Sequence, residues 1–198
     1  LLITARNKLK LEELAHSLNT NGVKVEAYPA DLTDPEQAKL VIEQVRKHFK
    51  QLDILVNNVG GAVKNGDFST LTSYDWRQAF DLNLFSVVEL TKASTDLLEK
   101  SPNGKIINIG SLTGLEPGYL NLHYAASKAA LLSFSKSIAQ LLAKKGVTVN
   151  TICPGPIETE SFAENISQIT KVLPQPGDPG ASADSILSNE IDKVPLKR

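Results

Sequence analysis

Short apolar runs alternate with helical stretches along most of this chain, and this alternation restricts the folds open to it. The predicted strands cover 1–5, 23–27, 52–56, 105–109 and 147–153. The predicted helices cover 8–22, 35–49, 73–100 and 124–145. Most strand segments are continuously apolar, which is typical of parallel strands buried on both faces. The sequence therefore predicts an α/β fold, a doubly wound parallel sheet between two helical layers, in a three-layer α/β/α arrangement.

The composition fits one soluble domain over 1–198. The chain has 198 residues, 41% of them hydrophobic, and a net charge of −1. A nearly neutral chain gives no electrostatic reason to expect nucleic acid or an anionic membrane as partner, and no apolar run reaches membrane-spanning length. The single cysteine, Cys153, excludes an internal disulfide and is compatible with the cytoplasm. The three histidines lack metal-ligand spacing, so we expect no metal site.

Several side chains have predicted places in these elements. Thr33 or Asp34 is expected to cap the second helix, with Pro35 at its first position. The apolar stripe of the first helix is predicted to comprise Leu9, Leu11, Leu14 and Leu18. His16 and His48 are predicted to lie on helix surfaces, and His123 is predicted to line the mouth of a pocket.

One segment combines a hydroxyl, a phenol and an ammonium group, carried by Ser111, Tyr124 and Lys128. Tyr124 and Lys128 are four apart in a predicted helix, so they share one face and are one turn apart. A cation there stabilises the phenolate and suits the tyrosine to proton transfer. Ser111 follows a predicted strand and could hydrogen-bond a substrate carbonyl. Tyrosine and lysine at this spacing are also common on exposed helices, so the complete set carries the prediction.

Other special residues follow the predicted strands. In an open parallel sheet, ligands bind beyond the carboxyl ends of the strands. The residues found there are Arg6, Asp31, Asn58 to Gly60, Ser111, and Pro154 with Gly155. Their convergence on one edge predicts a ligand site.

Arg6 and Asn83 each have two interpretations. Dinucleotide-binding folds carry, after their second strand, an acid that binds the ribose or a basic residue that binds a 2′-phosphate. If the first strand here is the equivalent one, the Arg6 guanidinium can bind that phosphate through two parallel hydrogen bonds, which favours NADP(H) over NAD(H). The alternative for Arg6 is a solvated surface side chain. Asn83, in the middle of a mostly apolar helix, either binds water and holds the backbone open near Lys128 or is a hydrogen-bonded core asparagine.

The motifs together resemble the short-chain dehydrogenase/reductase family, up to about residue 159. The matching motifs are DLTD (31–34), NNVGG (57–61), DLNLFS (81–86), IGS (109–111), YAASK (124–128) and PGPIET (154–159). The resemblance implies a Rossmann-like fold and an oxidoreductase that transfers a hydride between NADP(H) and a carbonyl or secondary alcohol.

The resemblance also implies roles for individual residues. Tyr124 would be the catalytic acid/base, Ser111 would orient the carbonyl, Lys128 would assist Tyr124 and bind the nicotinamide ribose, and Asn83 would complete a proton relay. Residues implied in cofactor binding, besides Tyr124 and Lys128, are Arg6, Asp31, Leu32, Asn58, Gly60, Pro154, Gly155, Ile157 and Thr159.

The chain departs from the family pattern at both ends. The glycine-rich turn TGxxxGxG, which receives the pyrophosphate, does not occur before Asn57, and the chain contains no methionine. We therefore expect a fragment of a longer protein. Residues 168–198, rich in Pro, Gly and Ser, are predicted as a substrate lid or, equally, a disordered tail.

Alternative functions stay open at this point. One is a 3-oxoacyl-carrier-protein reductase, for which Lys171, Lys193, Lys197 and Arg198 would be a weak basic patch. Another is a non-catalytic dinucleotide-binding or scaffold domain. The resemblance further implies a homodimer or homotetramer paired through the helices at 73–100 and 124–145.

Overall fold

The computed structural model describes residues 1–20, 22–118, 120–155 and 157. The strands are β1 (Leu2–Ile3), β2 (Glu26–Ala27), β3 (Ile54–Asn57), β4 (Lys105–Ile109) and β5 (Thr148–Ile152). The helices are α1 (Lys8–Thr20), α2 (Pro35–His48), α3 (Ser73–Phe80), α4 (Ser86–Glu99) and α5 (Leu122–Ala143). A π-helical turn spans Asp81–Phe85, and a 3₁₀ turn spans Leu112–Gly114.

All strand pairs are parallel, as the continuous apolar runs predicted. β3, β4 and β5 form one sheet in that order, with Ile54 opposite Lys105 and Ile109 opposite Ile152. β1 and β2 form a second sheet of two strands. The flanking helices complete the predicted α/β architecture, in which the carboxyl ends of β3 and β4 lead directly into NNVGG and IGS.

Two apolar clusters hold the helices to the sheets. The larger joins α2 to α4 and to the turn after β2, through Ala38, Val41, Ile42, Val45, Leu90, Leu97, Ala30 and Leu32. The smaller joins β4 and the end of α4 to Leu142 and Val147. Ile54 and Val56, on the same face of β3, are nevertheless 50% and 54% exposed, so the described residues do not fully cover this face. Burial on both faces therefore does not extend to β3.

Helix α1 buries a narrower stripe than predicted. Leu11 and Ala15, one turn apart, are buried, whereas Leu9 and Leu14 are exposed. The prediction for Leu9 and Leu14 was wrong, since helical spacing alone does not say how wide the facing surface is. The start of α2 does follow the prediction, because Asp34 caps it by accepting from the Glu36 amide at 2.9 Å, and Pro35 is its first residue.

The predicted helix over 73–100 is interrupted by the π-helical turn. The buried Asn83 lies in this turn, and its Nδ2 donates to the Ala79 carbonyl at 2.9 Å. A π-turn inserts one extra residue per turn and frequently marks a functional position. Within the described residues, no helix is both long and apolar enough to span a membrane.

Candidate active site

The carboxyl end of β4 positions the serine of the candidate site. The chain leaves β4 at Gly110, whose amide donates to the Ile152 carbonyl at 2.7 Å, and Ser111 follows. The Ser111 hydroxyl oxygen accepts from the Thr113 amide at 3.2 Å and so caps the 3₁₀ turn. That turn packs on α5, because a Cβ on Gly114 would lie 2.9 Å from the carbonyl carbon of Lys128. The absence of a side chain at Gly114 thus brings the serine segment against the helix that carries the lysine.

Lys128 is buried at the centre of the site, with 3% of its surface exposed. Its Nζ donates to the Ile109 carbonyl at 2.8 Å and lies 5.9 Å from the centroid of the Tyr124 ring. Burial lowers the pKa of the Lys128 ammonium to about 8, and the Cys153 thiol opposes this shift. The predicted pairing of Tyr124 with Lys128 on one helix face is therefore realised, with the amine held between the helix and the end of β4.

Asn83 reaches the same place from the π-helical turn. Its Oδ1 accepts from the Gly61 amide at 2.9 Å, and its Nδ2 donates to the Gly61 carbonyl at 3.1 Å. A Cβ on Gly60 would lie 2.7 Å from Asn83 Oδ1 and 2.8 Å from Lys128 Nζ. Asn83 Oδ1 and Lys128 Nζ therefore both pack directly against Gly60, where a residue with a side chain would not fit. Asn83 is thus a hydrogen-bonded core asparagine that lies close to the lysine, and its role in binding water or in a proton relay stays a prediction.

A row of buried, hydrogen-bonded polar side chains connects the elements that carry the site, and the sequence did not predict it. Asn57 Nδ2 donates to Asn108 Oδ1 at 2.8 Å, and Asn108 Nδ2 donates to Ser135 Oγ at 2.8 Å. These bonds link β3, β4 and α5. The signal was an asparagine at corresponding positions of two apolar strands, since buried amides need partners and neighbouring strands provide them.

Three of the predicted cofactor-binding residues, Arg6, Asp31 and Leu32, follow β1 and β2 in the chain. The two segments are joined by the Ala30 amide, which donates to the Ala5 carbonyl at 3.1 Å. Hydrogen bonds from Thr33 lower the pKa of Asp31, and the positive charge of the exposed Arg6 adds to this effect. Arg6 and Asp31 are thus neighbours, whereas the side chain of Leu32 lies in the apolar core. Leu32 was predicted to bind the cofactor, but its side chain packs in one apolar cluster with residues of α2 and α4. The sequence did not indicate this burial, because those residues are distant in the chain.

The other predicted cofactor residues lie around the same sheet edge. Asn58 and Gly60 are exposed after β3, while Pro154 and Gly155 follow β5, and the Pro154 carbonyl accepts from the Leu112 amide at 2.9 Å. Ile157 is exposed. Thr159 and the predicted lid over 168–198 are outside the described residues.

His123 is fully buried, so its predicted place at a pocket mouth was wrong. Its ring meets the Trp76 ring edge-on, with 6.2 Å between centroids, and neither nitrogen has a hydrogen-bond partner among the described residues. Burial lowers the pKa of His123, and the Asp75 carboxylate opposes this shift. His123 therefore packs from α5 against Trp76 of α3. His16 and His48 are exposed, as predicted.

No group of three metal-ligating side chains occurs within the described part of the chain. What the site does offer is a hydroxyl, a phenol and an ammonium group beside the ends of β3 and β4. These groups suit proton transfer to or from an oxygen atom of a ligand lying across the strand ends.

Comparisons with known proteins give one consistent result. The model of the short chain dehydrogenase family matches residues 1–170. The chain is 36% identical over 157 residues to the 3-oxoacyl-[acyl-carrier-protein] reductase FabG of Escherichia coli (strain K12), covering 79% of this chain and 63% of that protein. It therefore spans less than two thirds of that reductase.

Two solved structures superpose over the whole chain. L-sorbose reductase from Gluconobacter frateurii, complexed with NADPH and L-sorbose, has a TM-score of 0.85 and 31% identity, and 73% of that chain is covered. NAD⁺-bound xylitol dehydrogenase has a TM-score of 0.90 with 75% of that chain covered, but at 23% identity it shows the fold alone. The predicted Rossmann-like fold is thereby confirmed.

Proposed function

This chain belongs to the short-chain dehydrogenase family, and on that premise we propose that it is part of an oxidoreductase that interconverts a carbonyl compound and a secondary alcohol with NADP(H). The proposal rests chiefly on the buried Lys128, which lies beside the Tyr124 ring at the carboxyl end of β4. Burying an ammonium group is costly unless partners compensate it, and a poorly compensated one in a cleft is a candidate functional residue. Here its one hydrogen bond among the described residues is to the Ile109 carbonyl.

Each residue has a distinct part in the proposed reaction. When bound, the nicotinamide supplies a hydride to the carbonyl carbon or accepts it from the alcohol. In reduction, Tyr124 gives its hydroxyl proton to the carbonyl oxygen, and in oxidation it removes the proton from the alcohol. Lys128 stabilises the tyrosinate that remains after proton donation. Ser111 orients the oxygen of the substrate by hydrogen bonding.

The residues around the strand ends fit a dinucleotide. Gly60 allows Asn83 Oδ1 and Lys128 Nζ to approach the backbone after β3, which gathers these polar groups at the edge where a dinucleotide would lie. Arg6, exposed next to Asp31 at the end of β1, would pair with a 2′-phosphate. NADP(H) is therefore preferred over NAD(H) in this proposal, and the similarity to an NADPH-bound L-sorbose reductase supports the preference.

The decisive test is Tyr124→Phe, which removes the hydroxyl group that carries the exchangeable proton and keeps the ring. Turnover with NADPH and a panel of ketones should fall by about 10²- to 10⁴-fold, the usual contribution of a general acid/base, while NADPH affinity changes little. Tyr74→Phe is the matched control, because Tyr74 is an exposed tyrosine on α3. Wild-type turnover in Y124F would refute the proposed mechanism.

Cofactor preference is tested separately with Arg6→Asp. The ratio of kcat/KM for NADPH to that for NADH should fall by about tenfold or more, the effect of replacing one charge-assisted pair by a repulsion. Arg77→Asp, at an exposed arginine of α3, is the control. An unchanged ratio in R6D would show that Arg6 does not bind the phosphate.

A 3-oxoacyl-carrier-protein reductase is the second candidate, favoured by the 36% identity to the Escherichia coli enzyme. Reduction of an acetoacetyl thioester in preference to sugar ketones would support it. A non-catalytic dinucleotide-binding domain is the remaining alternative, and NADPH binding without turnover on any substrate would favour it. A single domain over 1–198, a cytoplasmic location and pairing through the long helices stay predictions.

A further inference from the structure

Asn121, at the start of α5, uses its side chain in an unexpected way. It is the N-cap residue of the helix that carries Tyr124 and Lys128, yet its side chain makes no capping bond. Asparagine is one of the best N-cap residues, and a cap contributes about 1 kcal/mol. The backbone of Asn121 is left-handed, with φ 54° and ψ 40°, which turns the side chain away from the helix. Local helix stability has been given up at this position, which points to another role.

The Asn121 amide group instead holds the loop over 61–72. Its Oδ1 accepts from the Gly66 amide at 3.0 Å, while its own backbone amide donates to the Gly66 carbonyl at 2.9 Å. Its Nδ2 donates to Asn65 Oδ1 at 2.7 Å. The carbonyl of Asn121 accepts from the Ala125 amide and so begins α5. One residue therefore joins the loop to the first turn of the helix.

The other end of this loop is held at the candidate active site. Gly61 exchanges two hydrogen bonds with Asn83, and Lys64 Nζ donates to Asp75 Oδ2 at 2.9 Å. The loop packs tightly on itself at Gly66, because a Cβ there would lie 2.6 Å from Thr70 Oγ1 and would force that side chain to shift. The loop is thus a short connection of defined shape from Asn83 to Asn121.

The other contacts of the first turn of α5 do not fix the position of the helix along or around its axis. His123 is buried against Trp76, and its ring nitrogens make no hydrogen bond to another element within the described residues. Ring packing fixes a distance but leaves a helix free to slide or rotate slightly. Among the described residues, the hydrogen bonds from the first turn of α5 to other elements come from Asn121.

We propose that Asn121 is a positioning residue for Tyr124: by tying the first turn of α5 to the loop that begins at Gly61, it sets the phenol in register with the cofactor edge of the site. Tyr124 lies three residues further on, within the turn that Asn121 opens. A displacement of about 1 Å at a reacting group can reduce turnover by about 100-fold. This inference rests on the proposed oxidoreductase function.

The test is Asn121→Gly, because glycine accepts the left-handed backbone and removes only the side-chain bonds. We expect kcat with NADPH to fall by about 10- to 100-fold, with the Kd for NADPH changed less than about twofold, and the primary isotope effect with deuterated NADPH to rise. The matched control is Asn19→Ala. Asn19 likewise joins a helix end to the following segment, accepting from the Val25 amide at 3.0 Å, but lies on α1. N19A should leave kcat and the isotope effect unchanged.

Asn121→Asp is the conservative variant, since its carboxylate can still accept from the Gly66 amide and tolerates the left-handed backbone. It should restore most of the turnover that N121G loses. A kcat for N121G within twofold of wild type, or an equal loss in N19A, overturns the proposal. If N121G does not fold, Asn65→Ala replaces it, with an expected fall of about threefold, and an unchanged kcat in N65A overturns the proposal.

A second measurement separates this inference from the proposed function. If the wild-type protein turns over no substrate, the proposed function fails. The positioning role of Asn121 is then tested by the NMR signal of ring-labelled Tyr124, which is assigned with Y124F. That signal should shift or broaden in N121G and not in N19A. An unchanged signal in N121G overturns the positioning role.

Discussion

The two halves of this chain are built differently. In the half from β3 to β5, buried polar side chains pair with one another across strands and helices, as Asn57, Asn108 and Ser135 do. In the half from β1 to α2, the strands are two residues long, and α1 leaves Leu9 72% exposed while Leu11 is 5% exposed. Hydrogen bonds in several directions therefore fix the geometry of the β3–β5 half, whereas the β1–α2 half is held mainly by one apolar cluster.

This difference corresponds to the two tasks in the proposed function. Proton transfer needs groups placed to within a fraction of an ångström, and the polar network around Lys128 and Asn83 provides that rigidity. Choice of cofactor needs only a charge in the right place, which in the proposed function would come from the exposed Arg6. Substitutions in the β3–β5 half should thus affect turnover most, and those in the β1–α2 half should affect cofactor choice or stability.

Gly60→Ala should have the largest effect and most directly tests the rigidity of the β3–β5 half. The added Cβ would meet Asn83 Oδ1 at 2.7 Å and Lys128 Nζ at 2.8 Å, and the φ of 156° is rarely adopted by residues with a side chain. We expect kcat/KM for NADPH to fall by about 100-fold and the Tm to fall as well. Gly61→Ala is the control, because a Cβ there meets nothing within 4 Å. Equal activity of G60A and G61A would contradict the contrast between the halves.

Lys128→Met tests how closed the β3–β5 half is, through the pH dependence of the free energy of unfolding. The pKa of Lys128 is about 8 in the folded chain and 10.5 ordinarily, so between these values the unfolded chain binds more protons. The free energy of unfolding of wild type, relative to K128M, should therefore rise from pH 8 to pH 10.5, by about 3 kcal/mol at most. Urea unfolding at several pH values measures this.

Lys136→Met, on the exposed side of the same helix, is the control for that experiment and should show no such trend. A constant difference between wild type and K128M across this pH range would mean that water reaches the ammonium group of Lys128. The β3–β5 half would then be less closed than its hydrogen bonds indicate.

The smallest effects are expected in α1. Leu11→Ala should lower the free energy of unfolding by about 2 kcal/mol, the low end for a buried leucine, whereas Leu9→Ala should change it by less than about 0.5 kcal/mol. Thermal or urea unfolding of both variants gives the comparison, and neither should alter the NADPH-to-NADH preference. Comparable destabilisation by L9A would show that α1 is packed as broadly as its sequence pattern suggested.

Local patterns account for the parts that the sequence predicted well. β4 occupies Lys105–Ile109 as predicted, and Asp34 with Pro35 begins α2, because capping and apolar runs act within a few residues. The wrong predictions all concern contacts between distant segments. The stripe of α1, the burial of His123 and the interruption of the helix at Asn83 depend on what faces each side chain.

By itself, the sequence determined the parallel α/β plan and the spacing that puts Tyr124 and Lys128 on one helix face, since both follow from backbone periodicity. Only the tertiary structure decided that Lys128 is buried and that Asn83 lies in a π-helical turn beside Gly60. It also decided that the side chain of Asn121 bonds to a loop instead of capping its own helix. The physical reason is that hydration and hydrogen-bond partners depend on segments far apart in the chain, and these meet only when the strands pair and the helices pack.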